Sequence, residues 1–182
     1  MTLAQFDPSM LRNYQQLSAK VAELCGQIEE RCREHLACRQ GCDSCCRHLS
    51  LFWVEAVALA WALKQAAPAL VQTIRGQAHH GSPDGPCPLL LGGGCLLYAA
   101  RPLICRTHGL PLLLERDGDR RIDYCPLNFQ QAATLPPGAL VNLETLNATL
   151  AAVNALFVQE LFGAAGPPVE RLSIGEALLL EV

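Results

Sequence analysis

The 182-residue sequence predicts a mainly α fold, a single-domain helical bundle with one small β-hairpin. Three observations predict it. Apolar residues recur at helical spacing near both ends of the chain. One strong hairpin turn, Asp117-Gly118, stands between those ends. The remaining stretches are dense in Cys, Gly and Pro, which is the composition of loops. The length suits one domain with a sizeable core, so residues 1–182 are read as a unit.

Asp7-Pro8 reads as a helix start, with Asp as cap and Pro at the first helical position. Met10, Tyr14, Leu17, Val21, Leu24 and Ile28 continue as a stripe of alternating four- and three-residue steps, giving a first helix over 8–36. Cys25 and Cys32 lie seven apart beside this stripe and read as small buried hydrophobes. Ala37 to Arg47 is a cysteine-rich loop. Phe52 to Gln65, rich in Ala, Leu and Trp, reads as a helix. A shorter helix follows Pro68 to about Arg75, and His79-His80 then fall in a polar stretch. Gly81 to Pro86 and Gly92 to Gly94 bracket Cys87 with turns.

Leu110 to Tyr124 reads as the hairpin, which draws Cys105 and Cys125 closer in space than in sequence. Beyond Pro136-Pro137-Gly138, a helix over 140–162 carries Leu143, Leu146, Leu150, Val153, Phe157 and Leu161 on its apolar face. Ser173 caps a terminal helix over 174–180. The N-terminal and C-terminal helices are expected to pack together, with the cysteine loops gathered at one end.

Bulk properties narrow the function classes. The formal net charge of −3 offers no global basic surface for nucleic acid. Met1 to Pro8 has neither the basic start nor the apolar run of a secretory signal. The window Leu51 to Leu63 reads as the most apolar in the chain, but Glu55 interrupts it and it is too short to span a bilayer. No membrane association and a cytoplasmic location are therefore expected. Thiols stay reduced there, so a cysteine pattern points to metal or redox chemistry rather than disulfides.

Eight of the ten cysteines form that pattern: Cys38, Cys42, Cys45, Cys46, Cys87, Cys95, Cys105 and Cys125. Thiolates are soft ligands that select zinc, copper(I) and iron–sulfur clusters. A zinc ribbon takes two Cys-x2-Cys pairs from two turns, whereas this chain has one dense turn and four singles. The eight could still build two four-cysteine zinc sites, or one compact site with spares. Cys38-x3-Cys42-x2-Cys45 also has the spacing of the cluster loop of radical SAM enzymes, although no alternation of strands and helices suggests their barrel. Side chains of the adjacent Cys45 and Cys46 diverge, which suits two different centres, or one ligand and one redox-active thiol. His48 and His108 lie near the cysteines and could replace a thiolate. Arg101 and Arg106 flank Cys105, and their expected role is at the cofactor, offsetting its negative charge and holding the loops in register.

Taken in order, Gly41-Cys42-Asp-Ser-Cys45-Cys46, Cys87-Pro-Leu-Leu, Cys95-Leu-Leu-Tyr98, Arg101-Pro102-x-x-Cys105-Arg106 and Cys125 resemble the zinc- or iron-chelating cysteine-cluster family, called the YkgJ or CxxCxxCC family. The match spans Cys38 to Cys125. Three residues separate Cys38 from Cys42, where the family pattern has two. The resemblance implies a metal centre built from the eight cysteines, holding zinc or an iron–sulfur cluster. Flagellin lysine methylases carry a related cluster, so methyl transfer is one implied chemistry. The expectation is a metal-binding protein of open reaction. The alternatives are an enzyme or enzyme subunit in methyl-transfer or redox chemistry, or a metal carrier. The lack of paired zinc knuckles favours iron.

Overall fold

The computed structural model describes residues 1–182 apart from Gln40, Pro83, Asp84, Asp117 and Ala133. About half of the chain is helical and the sheets are small, as a mainly α fold requires.

Asp7 caps a 3-10 turn, Pro8–Leu11, by accepting the Ser9 N–H at 2.8 Å. The turn leads into α1, Arg12–Arg31, which buries Tyr14, Val21, Cys25 and Ile28. Leu24, expected on this stripe, is 36% exposed, and Cys25 takes the inward position. Tyr14, Val21 and Ile28, seven apart, stay buried, and beside that line the bundle covers Cys25, four residues after Val21, rather than Leu24, three after it. The α-helical run also stops at Arg31, and a 3-10 turn, Arg33–His35, completes the predicted length.

Helix α2, Trp53–Lys64, is the centre of the fold. It buries Trp53, Val54, Glu55, Ala56, Val57, Leu59, Ala60 and Leu63. A helix apolar nearly all round must be enclosed. It is enclosed by α5, Leu143–Phe162, and by α6, Ile174–Leu178, while α1 packs on α5 and on the short α4, Leu103–Thr107. The predicted packing of the first helix on the long C-terminal helix is therefore present. Ser173 forms a full capping box with Glu176 at the start of α6. Helix α3, Pro68–His80, packs on α6 and runs past Arg75. His79 and His80 are exposed in its last turn, not in a loop.

The predicted hairpin is β4, Leu112–Arg116, paired antiparallel with β5, Asp119–Asp123. Of its turn, Asp117 lies outside the described residues, and Gly118 has a φ of +85°. The sequence reading missed a third strand, Val141–Asn142, which pairs parallel with β4 and leads directly into α5. Two residues carry no periodicity, so nothing in the sequence marked them. Two more short pairs complete the sheets: β1, Ser50–Leu51, with β7, Leu172–Ser173, and β2, Leu90–Leu91, with β3, Gly94–Cys95. The Val141–Asn142 strand is β6 in chain order.

The sequence reading also passed over the apolar length of α5. Leu143–Ala165 is long and apolar enough to cross a membrane by length and composition. In this fold it buries Leu150, Phe157 and Leu161 against the bundle.

Cys25 and Cys32 are 5% and 0% exposed within the apolar core. Burial pushes the Cys25 thiol up to about 11, as expected of a packed neutral group. Replacing either by Ala is expected to cost on the order of 1 kcal/mol, well below the roughly 2–5 kcal/mol for Ile28→Ala, with metal content unchanged. Urea denaturation with metal analysis on matched variants checks this. Loss of metal from Cys25→Ala or Cys32→Ala would place α1 in the site.

Candidate metal centre

The eight pattern cysteines come from four stretches of chain with little regular structure: the loop 37–49, the β2–β3 segment, α4, and the exit of β5. All are free thiols. Each stretch is tied to another by specific bonds.

The first tie joins the loop to the β2–β3 segment. Cys87 N–H donates to the Cys46 carbonyl at 3.0 Å, and Arg47 bridges Pro86. Gly41 N–H donates to the Gly93 carbonyl at 3.1 Å. Both glycines have positive φ, +91° and +75°, and a methyl group on Gly93 would sit 3.2 Å from Gly41 Cα. Only glycine allows this backbone contact without a shift. The tight β2–β3 turn sets Cys95 opposite Leu90, and Leu89 N–H approaches Cys87 Sγ at 3.5 Å.

The second tie joins α4 to the core. Glu55, 3% exposed, accepts the Leu103 N–H at 3.0 Å, satisfying a donor at the start of the helix that carries Cys105 and Arg106. Burial raises the Glu55 carboxyl above its usual range, opposed by this bond. Thr107, also buried, donates back to the Leu103 carbonyl at 3.2 Å.

The third tie runs through Asn128, 1% exposed. Its Oδ1 accepts the Ala37 N–H at 2.8 Å and its Nδ2 donates to the Gly109 carbonyl at 2.7 Å. Nδ2 also faces Cys38 Sγ at 3.5 Å. Gly109 has a φ of +86°, and a methyl group there would sit 3.0 Å from Cys38 Sγ and 3.7 Å from Cys125 Cβ. The hairpin thus returns Cys125 to Gly109, four residues beyond Cys105. Glu55, Thr107 and Asn128 are the buried polar side chains of the described residues, and all three brace cysteine-bearing segments. The sequence reading missed Asn128 and took Glu55 only as an interruption. A lone carboxylate in an otherwise apolar helix was the available signal.

Arg106 holds its own loop. Nε donates to the Arg101 carbonyl at 2.8 Å and Nη2 to the Ala99 carbonyl at 2.5 Å. Arg101 donates to the Tyr98 carbonyl at 3.0 Å and stacks 3.5 Å over the Tyr98 ring. Bracing of the loop is therefore present for both arginines. His48 Nε2 accepts the Gly175 N–H at 3.2 Å, and His108 Nδ1 lies 3.2 Å from the Ile104 carbonyl, so both rings face backbone.

Burial raises five of the eight thiols. Burial pushes Cys87 up to about 11 and Cys105 up to about 12, and the nearby Cys87, Cys95 and Cys46 raise Cys105 further. Burial also raises Cys45, Cys46 and Cys95, while the Arg101 charge pulls Cys95 down. Among the described residues, no three His, Cys, Asp or Glu side chains converge as the ligands of one ion. The structure thus brings cysteine-bearing segments together without showing a coordination sphere.

Removing Asn128 would orphan the Ala37 N–H and the Gly109 carbonyl. Asn128→Ala is expected to destabilise the protein by about 1–3 kcal/mol, measured by urea denaturation under reducing conditions. An unchanged midpoint would show that this bridge does not hold the loops.

No curated protein and no solved structure matches the chain. Residues 37–126, the stretch that holds all eight cysteines and ends just before the Asn128 bridge, match the CxxCxxCC family model, described as "Putative zinc- or iron-chelating domain". Through this segment the chain belongs to the CxxCxxCC family.

Proposed function

We propose that this is a metal-binding protein of a reducing compartment, in which Cys38, Cys42, Cys45, Cys46, Cys87, Cys95, Cys105 and Cys125 hold zinc or an iron–sulfur cluster. The observation that supports the reading is that bonds tie the cysteine turn to the Cys87–Cys95 segment and, through Asn128, to Gly109, while Glu55 fixes the helix of Cys105 on the core.

The donor set fits the group. Every candidate ligand is a thiol, and thiolates prefer zinc and iron–sulfur centres over hard cations. The single dense turn with scattered partners favours iron over a pair of zinc knuckles. A bound centre would supply cross-links between loops, and for iron a site for electron transfer. Arg101 and Arg106 would stand beside its negative charge, as guanidinium groups do without losing a proton. Arg106→Ala is expected to lower metal retention, because both the charge and the bonds to Ala99 and Arg101 are lost. Arg106→Lys is expected to retain less than the native protein too, since an ammonium cannot reproduce the two-carbonyl grip. Metal analysis after dialysis checks both, and native retention in both variants would contradict the role.

Raised thiols give a direct test of ligand chemistry. Cys87 and Cys105 are protonated near neutral pH, so a metal that takes them must expel their protons. Titrating zinc into reduced, metal-free protein in weak buffer at pH 7.5 (on the order of neutral pH) is expected to release protons in step with zinc uptake. Zinc uptake without proton release would place the metal on other groups.

A further inference from the structure

Helix α2 is enclosed along its length except on one stripe. Ala58, Trp61 and Ala62 are half-buried, whereas every other residue from Trp53 to Leu63 is buried. Residues three and four apart share a helix face, so the stripe is continuous. Helix α1 rests on α4 and α5, and between α1 and the stripe runs a groove of about 360 Å³. Ala19 and Ala22 line it from α1, and Ala58 and Ala62 line it from α2. These short side chains leave open the space that larger apolar residues fill where two helices interdigitate.

A third wall is cationic. Arg101 and Arg106 line the groove, and no Asp, Glu or Cys does. Among the described residues, neither arginine pairs with a carboxylate. Both are already held in place. Arg101 lies 3.5 Å over the Tyr98 ring and donates through Nε to the Tyr98 carbonyl, which leaves its Nη1–Nη2 edge uncommitted. Arg106 uses Nε and Nη2 on the Arg101 and Ala99 carbonyls and keeps Nη1. The two-donor edge of a guanidinium matches the two oxygens of a carboxylate. An edge fixed beforehand loses little freedom on binding. Trp61 adds a large apolar ring to the same groove, with Phe6 edge-on to it at 5.9 Å.

We infer that the groove between α1 and α2 is a binding site for a small aromatic carboxylate, its ring laid on Trp61 between the alanine walls and its carboxylate held by Arg101 and Arg106. The volume favours a small molecule over a peptide, since ligand sites run from roughly 300 to 1,000 Å³ and this one lies at the low end. The unpaired positive charge favours an anion, and the flat guanidinium edge favours a planar one. Mostly apolar walls with a few placed polar groups are the usual build of such sites. The inference goes beyond the metal-binding reading, because none of the eight pattern cysteines lines the groove.

Naphthoate is the probe, titrated into reduced full-length protein and followed by the shifts of amide and indole N–H resonances. Naphthamide, its neutral counterpart, is the control. Saturable shifts are expected at Ala19, Ala22, Ala62 and the Trp61 indole. The carboxylate is expected to bind about tenfold or more tighter than the amide, as a charge-assisted pair requires. Arg101→Gln should abolish that preference and leave the affinity for the amide as it was. Ala22→Leu and Ala62→Leu should fill the groove and weaken both probes, with circular dichroism and metal content as in the native protein. Metal analysis of the same samples thus reads the chelating role separately. Should Ala62→Leu lose its helices, Ala22→Leu on the exposed side of α1 decides. Equal affinity for carboxylate and amide overturns the inference. So do shifts confined to other surfaces, no saturable shift at millimolar probe, or an Ala22→Leu protein that binds like the native one. Tighter binding of naphthyl phosphate than of naphthoate overturns the assignment to a carboxylate.

Discussion

The hydrogen bond from Leu103 N–H to the Glu55 carboxylate joins two parts of the molecule that follow different rules. On one side is a helical core held by apolar burial, with α2 at its centre. On the other are loops with little regular structure that carry most of the thiols. Glu55 is a costly residue to place in that core, since a carboxyl taken out of water is worth keeping only when paired or hydrogen-bonded. The bond it accepts from the Leu103 N–H contributes about 0.5–1.5 kcal/mol, and more when the carboxyl is ionised. It fixes the start of α4, and α4 in turn sets Cys105 and Arg106. Arg106 then holds the carbonyls of Ala99 and Arg101, which orders the stretch that follows Cys95.

The loops on the far side repeat this logic with backbone and amide groups. Asn128 links Ala37 to Gly109, and the Gly41–Gly93 contact links the cysteine turn to the β2–β3 turn. These bonds set where chain segments run. Burial of neutral thiols costs little, so a fold of this kind tolerates its cysteines protonated and gains from a metal only when protons leave.

Much of the helical framework was legible because periodicity is local. The Asp7-Pro8 start, the α5 stripe and the Ser173 cap each needed only their own neighbours in sequence. Leu24 was misplaced because three- and four-residue steps look alike until the helix is built. His79-His80 were misplaced because a polar helix end has no apolar rhythm to extend. The β6 strand and the short β1–β7 and β2–β3 pairs are two residues long and depend on partners far along the chain. The candidate ligands were legible as residue types. The ties between their segments were not, because they depend on Asn128 and the Cys46–Cys87 bond, which join positions tens of residues apart and leave no spacing to read.

The central claim is that thiolates from these loops hold a metal. X-ray absorption at the iron and zinc edges of protein purified without oxygen tests it most directly. The account predicts bound iron or zinc whose nearest shell is sulfur alone, with short iron–iron scattering if a cluster is present. A shell of nitrogen and oxygen, or folded protein without either metal, would contradict it.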